Sequence, residues 1–184
     1  MASYQTVNGS YSDTVANGAV LENLLVNAGG ANVNIAVRDG GTLRNVAIVN
    51  QGRSPSGVSV RCGNGGNAVV DNCYFSGSRD NDIFINAAHS GHVNITNSYF
   101  EGAVEDAVYG SPPGNFPGFS GQGKDVGKGG TVHIDNCYAV ACGDYGFRLG
   151  STGSKISNSV MANCGVAAAN LYGRQVEFEN VQIY

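Results

Sequence analysis

Apolar and polar side chains alternate along most of the chain, and one asparagine interrupts each alternating stretch. VLENLLV, TLRNVAIV, VVDNCYF, NITNSYF, HIDNCYA, KISNSVM and EFENVQI carry Asn23, Asn45, Asn72, Asn97, Asn136, Asn158 and Asn180. Alternation of period two predicts strands. Before the asparagine the apolar residues stand at even offsets, as in Val132 and Ile134 or Val176 and Phe178. After it they stand at odd offsets, as in Leu24 and Val26, Val46 and Ile48, or Cys73 and Phe75. A parity flip across a single residue predicts a sharp bend between two strands. Asparagine suits that bend because it tolerates the left-handed region and bonds its own backbone.

The asparagines are 22, 27, 25, 39, 22 and 22 residues apart. A repeat near that length predicts a stacked solenoid, one coil per repeat. A third strand follows in each coil: NVNIAVR, GVSVRC, DIFINA, DAVYG, GFRLG and AANLYG. The expected fold is all-β: a single-stranded parallel β-helix of about seven coils, with three parallel sheets. Coils about 4.8 Å apart let the asparagine amides bond one another as a ladder. Residues 15–184 form this body, and residues 1–14, which lack the repeat, read as an N-terminal arm or irregular cap.

On these asparagine-centred repeats the chain resembles the right-handed parallel β-helices of the pectate-lyase-like superfamily. The resemblance implies the right hand and the asparagine ladder. It leaves function open, since that fold hosts lyases, hydrolases, viral tailspikes and non-enzymatic surface proteins. The Asn-, Gly- and Asp-rich coils and the SPPG segment also resemble β-helix proteins of halophilic archaea and their viruses.

A net charge of −4 argues against a nucleic-acid partner. No segment has the length of a transmembrane helix, so no membrane span is expected. Residues 1–10 have neither a basic start nor an apolar run, so no signal peptide is expected in this chain. The chain finishes on VEFENVQIY, a strand whose edge is expected to be covered by another subunit or by further polypeptide. Of five cysteines, Cys142 and Cys164 hold equivalent places on adjacent coils and are the one plausible bridge. Free thiols filling the core are the favoured reading.

The 39-residue spacing contains an insertion at residues 110–130, rich in glycine and proline. Insertions in repeat proteins project on one face and often carry function. Gly118 to Lys124 matches GxxxxGK, but Asp125 follows and then a strand, so it is no phosphate loop. His89, His92 and His133 have no partners at metal-ligand spacing.

Three outward rows carry candidate chemistry. Leu25, Ala47, Tyr74, Tyr99, Tyr138, Val160 and Gln182 lie two residues after their asparagines. Leu25, Tyr74, Tyr99, Tyr138 and Val160 are the expected interface, because an outward row should be polar; stacked sugars are the other use of such a row. Arg38, Arg61, Asn86, Arg148 and Tyr172 form an expected ligand-binding stripe, arginine forks matching carboxylates and sulfates. Asp82, Asp106 and Asp144 form a third row, giving catalytic candidates together with Arg148, or a calcium site. Aspartates also favour turns, and alternating Asp and Arg neutralise one another. No other metal or cofactor is expected.

The favoured expectation is a non-enzymatic structural or recognition module on a virion appendage (tailspike, fibre or turret) or a cell surface. It would bind polysaccharide, glycan or a partner subunit, and assemble as a homo-oligomer, with a trimer favoured. The alternative is a polysaccharide lyase or glycoside hydrolase acting on an acidic polysaccharide.

Overall fold

The computed structural model describes residues 4–50, 58–62, 67–85, 91–110, 130–150, 153–171 and 175–184, with the backbone alone for 58–62. Among these residues there are twenty strands and no helix, and every strand pairing is parallel. The expected stripe residues Asn86 and Tyr172, and residues 111–129 of the expected insertion, lie outside the described residues.

Among the described residues the strands form two sheets where three were expected. The seven-stranded sheet runs from Tyr11–Val15 through Val33–Val37, Val58–Cys62, Asn81–Ile85, Val108–Gly110 and Tyr145–Leu149 to Ala167–Leu171. The other has thirteen strands, because Val20–Asn27 and Gly41–Val49 run unbroken through their asparagines and tie two limbs together. In later repeats the limbs are separate strands, such as His92–Thr96 and Tyr99–Glu101. Each strand pairs with its counterpart one repeat away, as Val93 opposite Val132 and Phe100 opposite Phe75. Part of the expected arm is strand as well: Gln5–Asn8 pairs with Val20–Asn27, and Tyr11–Val15 pairs with Val33–Val37.

All seven asparagines have positive φ, between 48° and 55°. That conformation is costly for most side chains and mild for asparagine. Their amides connect the repeats: Asn45 donates to Asn23 at 3.1 Å, Asn72 to Asn45 at 2.6 Å, Asn136 to Asn97 at 2.9 Å and Asn180 to Asn158 at 3.0 Å. Two links are different. Asn97 donates to Asp71 at 2.8 Å and Asn158 to Asp135 at 2.8 Å. Thr96 and Ser157 hydroxyls join the same carboxylates at 2.7 and 2.6 Å.

The bend therefore alternates between two kinds in the middle of the molecule. Asp71-Asn72-Cys73 and Asp135-Asn136-Cys137 offer a carboxylate, and Thr96-Asn97-Ser98 and Ser157-Asn158-Ser159 supply donors to it. The third residue completes the match. Ser98 and Ser159 hydroxyls accept the backbone N–H of Cys73 and Cys137, each at 3.1 Å, and donate to the carbonyls of Thr96 and Ser157. Buried serines are thus satisfied, as a dry interior requires.

Inside, aliphatic residues stack in register. Phe75 and Phe100 lie parallel with centroids 5.2 Å apart, and Phe147 meets Phe100 edge-on at 6.4 Å. Each fully buried aliphatic or phenyl side chain contributes about 1.5–3 kcal/mol relative to exposure. Cys73, Cys137, Cys142 and Cys164 are free thiols.

Candidate functional site

Two regions of the surface carry concentrated chemistry. The first is the row two residues after the asparagine. Leu25, Ala47, Tyr74, Tyr99, Tyr138, Val160 and Gln182 are opposite one another, strand by strand. Tyr74 and Tyr99 stack at 5.8 Å between centroids, and Tyr99 and Tyr138 at 6.0 Å, with planes 23° and 24° apart. Ring faces are turned toward one another along the row, so the outward surface is made of ring edges and hydroxyls. The Tyr74 hydroxyl donates to the Glu101 carboxylate at 2.9 Å. Tyr138 is exposed, and Leu25, Tyr74, Tyr99 and Val160 are half-buried.

The second region is on the seven-stranded sheet, and its residues fall in different columns from those expected. Tyr109 lies opposite Phe84 on one side and Arg148 on the other, and Arg148 lies opposite Asn170. Arg61 lies opposite Ala36 and Phe84. The row is therefore Ala36, Arg61, Phe84, Tyr109, Arg148 and Asn170. Arg38 is two residues beyond it, beside Asp39 at 4.0 Å, and does not join the stripe. Arg61 keeps its place by backbone pairing, while Asn86 and Tyr172 lie outside the described residues.

The three aspartates likewise occupy three different positions. Asp106 lies opposite Asn81 and Tyr145: its N–H donates to the Asn81 side chain at 3.1 Å, and its carboxylate accepts the Tyr145 N–H at 3.0 Å. Asp82 is one residue further along and faces the interior, where neither carboxylate oxygen has a hydrogen-bond partner. Asp144 is half-buried ahead of the strand, its N–H donating to the Glu105 carbonyl at 2.9 Å. Among the described residues no three His, Cys, Asp or Glu side chains gather as a metal site, so the calcium candidate Asp82, Asp106 and Asp144 does not form one. The physical reason is register, since Asp106 stands opposite Asn81 and Tyr145, one residue short of Asp82 and one past Asp144.

What does come together is Asp106, Arg148, Tyr109 and Tyr145. Arg148 Nη1 is 3.7 Å from the Asp106 carboxylate. Its guanidinium lies over the Tyr109 ring at 4.8 Å and near the Tyr145 ring at 5.4 Å. Cations over such rings are stabilised by the ring quadrupole. Phe84 meets Tyr109 edge-to-face at 5.5 Å. Burial raises the Asp106 carboxyl from its ordinary value to about 7, with Arg148 and the Tyr145 N–H pulling the other way. Burial alone pushes Asp82 well above the usual carboxylate range. Burial therefore favours the protonated form of both carboxyls, Asp106 beside the Arg148 cation and Asp82 in the core.

The sequence reading missed Phe84, Tyr109 and Tyr145 as members of this cluster. Twelve residues separate the asparagine from Phe84, Tyr109, Arg148 and Asn170 alike, and that constant offset was the signal. A scan against protein-family models and a search of curated proteins both return no match.

Proposed function

We propose that the chain is a right-handed parallel β-helix of about seven coils that serves as a non-enzymatic structural or recognition module. The thirteen-stranded sheet, folded at the asparagines, would supply two faces and the seven-stranded sheet the third. The observation that carries the functional reading is the in-register tyrosine row. Its rings are already stacked on each other, so they offer edges and hydroxyls rather than free faces. Sugars stack on ring faces, whereas a neighbouring protein surface packs well on edges and pairs with hydroxyls. A row that spans seven strands and mixes leucine, alanine, valine and tyrosine suits burial against another copy of the chain. Homo-oligomers, trimers first, are the expected assembly, with a virion appendage or a cell surface as the setting.

In this reading the seven-stranded sheet faces the ligand, a polysaccharide or glycan bearing acidic groups. Phe84 and Tyr109 supply apolar rings and Arg148 a cation. A ligand carboxylate would exchange with Asp106 at Arg148, and Asp106 would then take up a proton near neutral pH. The alternative reading, a lyase or glycosidase, draws on the Asp106 carboxyl, which burial shifts upward and which lies 3.7 Å from Arg148, an arrangement suited to acid–base chemistry.

The test incubates the protein with acidic polysaccharides, with and without calcium, and follows both binding and the appearance of unsaturated or reducing ends. Binding without new chain ends is expected, weakened in Arg148→Met. New ends that disappear in Asp106→Asn would replace this reading with the enzymatic one.

A further inference from the structure

We propose that Cys142 and Cys164 are a reversible redox pair, which a small-molecule disulfide such as oxidised glutathione closes into an intrachain bridge between adjacent repeats. The two residues stand directly opposite each other: the Gly165 N–H donates to the Cys142 carbonyl at 2.8 Å, the bond that joins paired positions on parallel strands. Adjacent strands are about 4.8 Å apart, within the roughly 4.4–6.8 Å between Cα atoms that a disulfide spans. The thiols share one attitude. Cys142 Sγ approaches the Val140 carbonyl at 3.8 Å, and Cys164 Sγ approaches the Ala162 carbonyl at 3.7 Å, each two residues back.

The glycines that follow hold this arrangement tight. A Cβ on Gly165 would lie 2.1 Å from the Gly143 carbonyl oxygen, and one on Gly143 would lie 1.9 Å from that of Val104. Only glycine permits such nesting, so the two Cys-Gly turns sit at backbone contact. The strands beyond Cys164 are little buried: Ala167 is exposed, and further on Phe178 is 45% and Ile183 61% exposed. A bridge here would fasten those strands to the body of the sheet.

Exposure assigns the roles. Cys142 is buried and Cys164 half-buried, so Cys164 is the group a reagent meets first. The hydrogen bond with Cys142 pulls the Cys164 thiol below its ordinary value, and the same contact, with burial, pushes Cys142 up. The Cys164 thiolate attacks one sulfur of oxidised glutathione, forms a mixed disulfide and releases one glutathione thiolate. Cys142, losing its proton to solvent, then attacks Cys164 Sγ and expels the second glutathione. Two protein thiols give up two electrons and two protons, and the glutathione disulfide becomes two thiols. Cys73 and Cys137 serve as internal controls. Ser98 lies between them, and burial pushes both thiols up to about 12.

The experiment treats the reduced protein with oxidised glutathione, alkylates the remaining thiols and maps the peptides. A Cys142–Cys164 link is expected, with Cys73 and Cys137 still alkylated. Amide exchange across Ala167–Leu171 should slow by roughly tenfold or more, since the bridge closes a loop of about 22 residues. In Cys142→Ala the reaction should stop at a glutathione adduct on Cys164. Alanine is accommodated there, because Ala103 holds the same column in the preceding repeat. Cys142 and Cys164 remaining alkylatable in the wild type, a link that forms between chains instead, or no adduct on Cys164 in the variant would each overturn the proposal.

Discussion

The tyrosine row and the Arg148 cluster lie on strands of the same repeats, yet one is uniform and the other irregular. Along the tyrosine row each residue stands opposite its counterpart through seven strands, with three stacked rings and no charged member. Around Arg148, one carboxylate is paired, one is buried without a partner and a third lies off the strand. The difference follows from distance to the bend. Two residues separate the asparagine from the tyrosine row, and its positive φ fixes them. Turns of unequal length separate it from the other sheet, where Ala36 comes 13 and Arg61 16 residues after the asparagine, against 12 in the next four repeats. Regularity suits a packing surface. Irregularity places acids where burial can hold their protons.

The strongest way to break this comparison is at the bend that sets both faces. Asn45 is the asparagine with an asparagine partner on either side, giving to Asn23 and receiving from Asn72. Asn45→Leu should cost about 2–5 kcal/mol in urea unfolding, from two lost bonds and a strained left-handed residue. Asn45→Gly keeps the conformation and should cost about half as much. Equal losses for both would mean that the amide links, and not the backbone, set the bend.

Charge in the irregular region is the next lever. Asp82 and Asp106 both hold protons in the folded chain above their ordinary value of 3.8. Between that value and the folded one, the native state binds more protons than the unfolded state, so stability must fall as pH rises. The share from Asp106 is present in full below about 4 and lost by about 7; the share from Asp82 declines to higher pH. Thermal melts across this range should show the decline, and Asp106→Asn should flatten its lower part. Arg148→Met should move the Asp106 midpoint upward, because Arg148 opposes the shift. Asp82→Ala, in a core column beside Ala107, should raise stability at neutral pH by about 1–2 kcal/mol. A loss instead would indicate that the carboxyl has a partner in solution.

A smaller effect sharpens the account of the bends. Ala141 has a φ of 56°, at the second left-handed position of its repeat, where the two preceding repeats place Gly77 and Gly102 and the next places Asn163. Ala141→Gly should stabilise the protein by about 0.5–1 kcal/mol, measured by denaturant midpoint.

How far the sequence was legible follows the same line. The seven asparagines announced their conformation, and the tyrosine row fell out by counting two residues forward. The parallel pairing was also legible, because alternation repeated at a steady interval. The alternation of Asp-Asn-Cys with Thr-Asn-Ser and Ser-Asn-Ser was present in the letters, but its meaning depends on which side chain reaches across a repeat. The arginine and aspartate rows failed because they were counted across turns whose lengths differ. Arg38 and Asp144 sit in those turns, and one residue of slippage moves a side chain to the other face of a strand. The single thirteen-stranded sheet was illegible for a related reason, since unbroken pairing through Asn23 and Asn45 depends on the strands continuing past the bend.

Sedimentation equilibrium tests the tyrosine row as an assembly face most directly. The wild-type chain should sediment as a multiple of 18.9 kDa, with three copies the first expectation. Tyr99→Lys, which sets a charge between Tyr74 and Tyr138, should shift it toward the single-chain mass while its circular dichroism stays that of the wild type. A wild-type protein that remains a single chain at high concentration, with Tyr74, Tyr99 and Tyr138 open to solvent, would contradict the account.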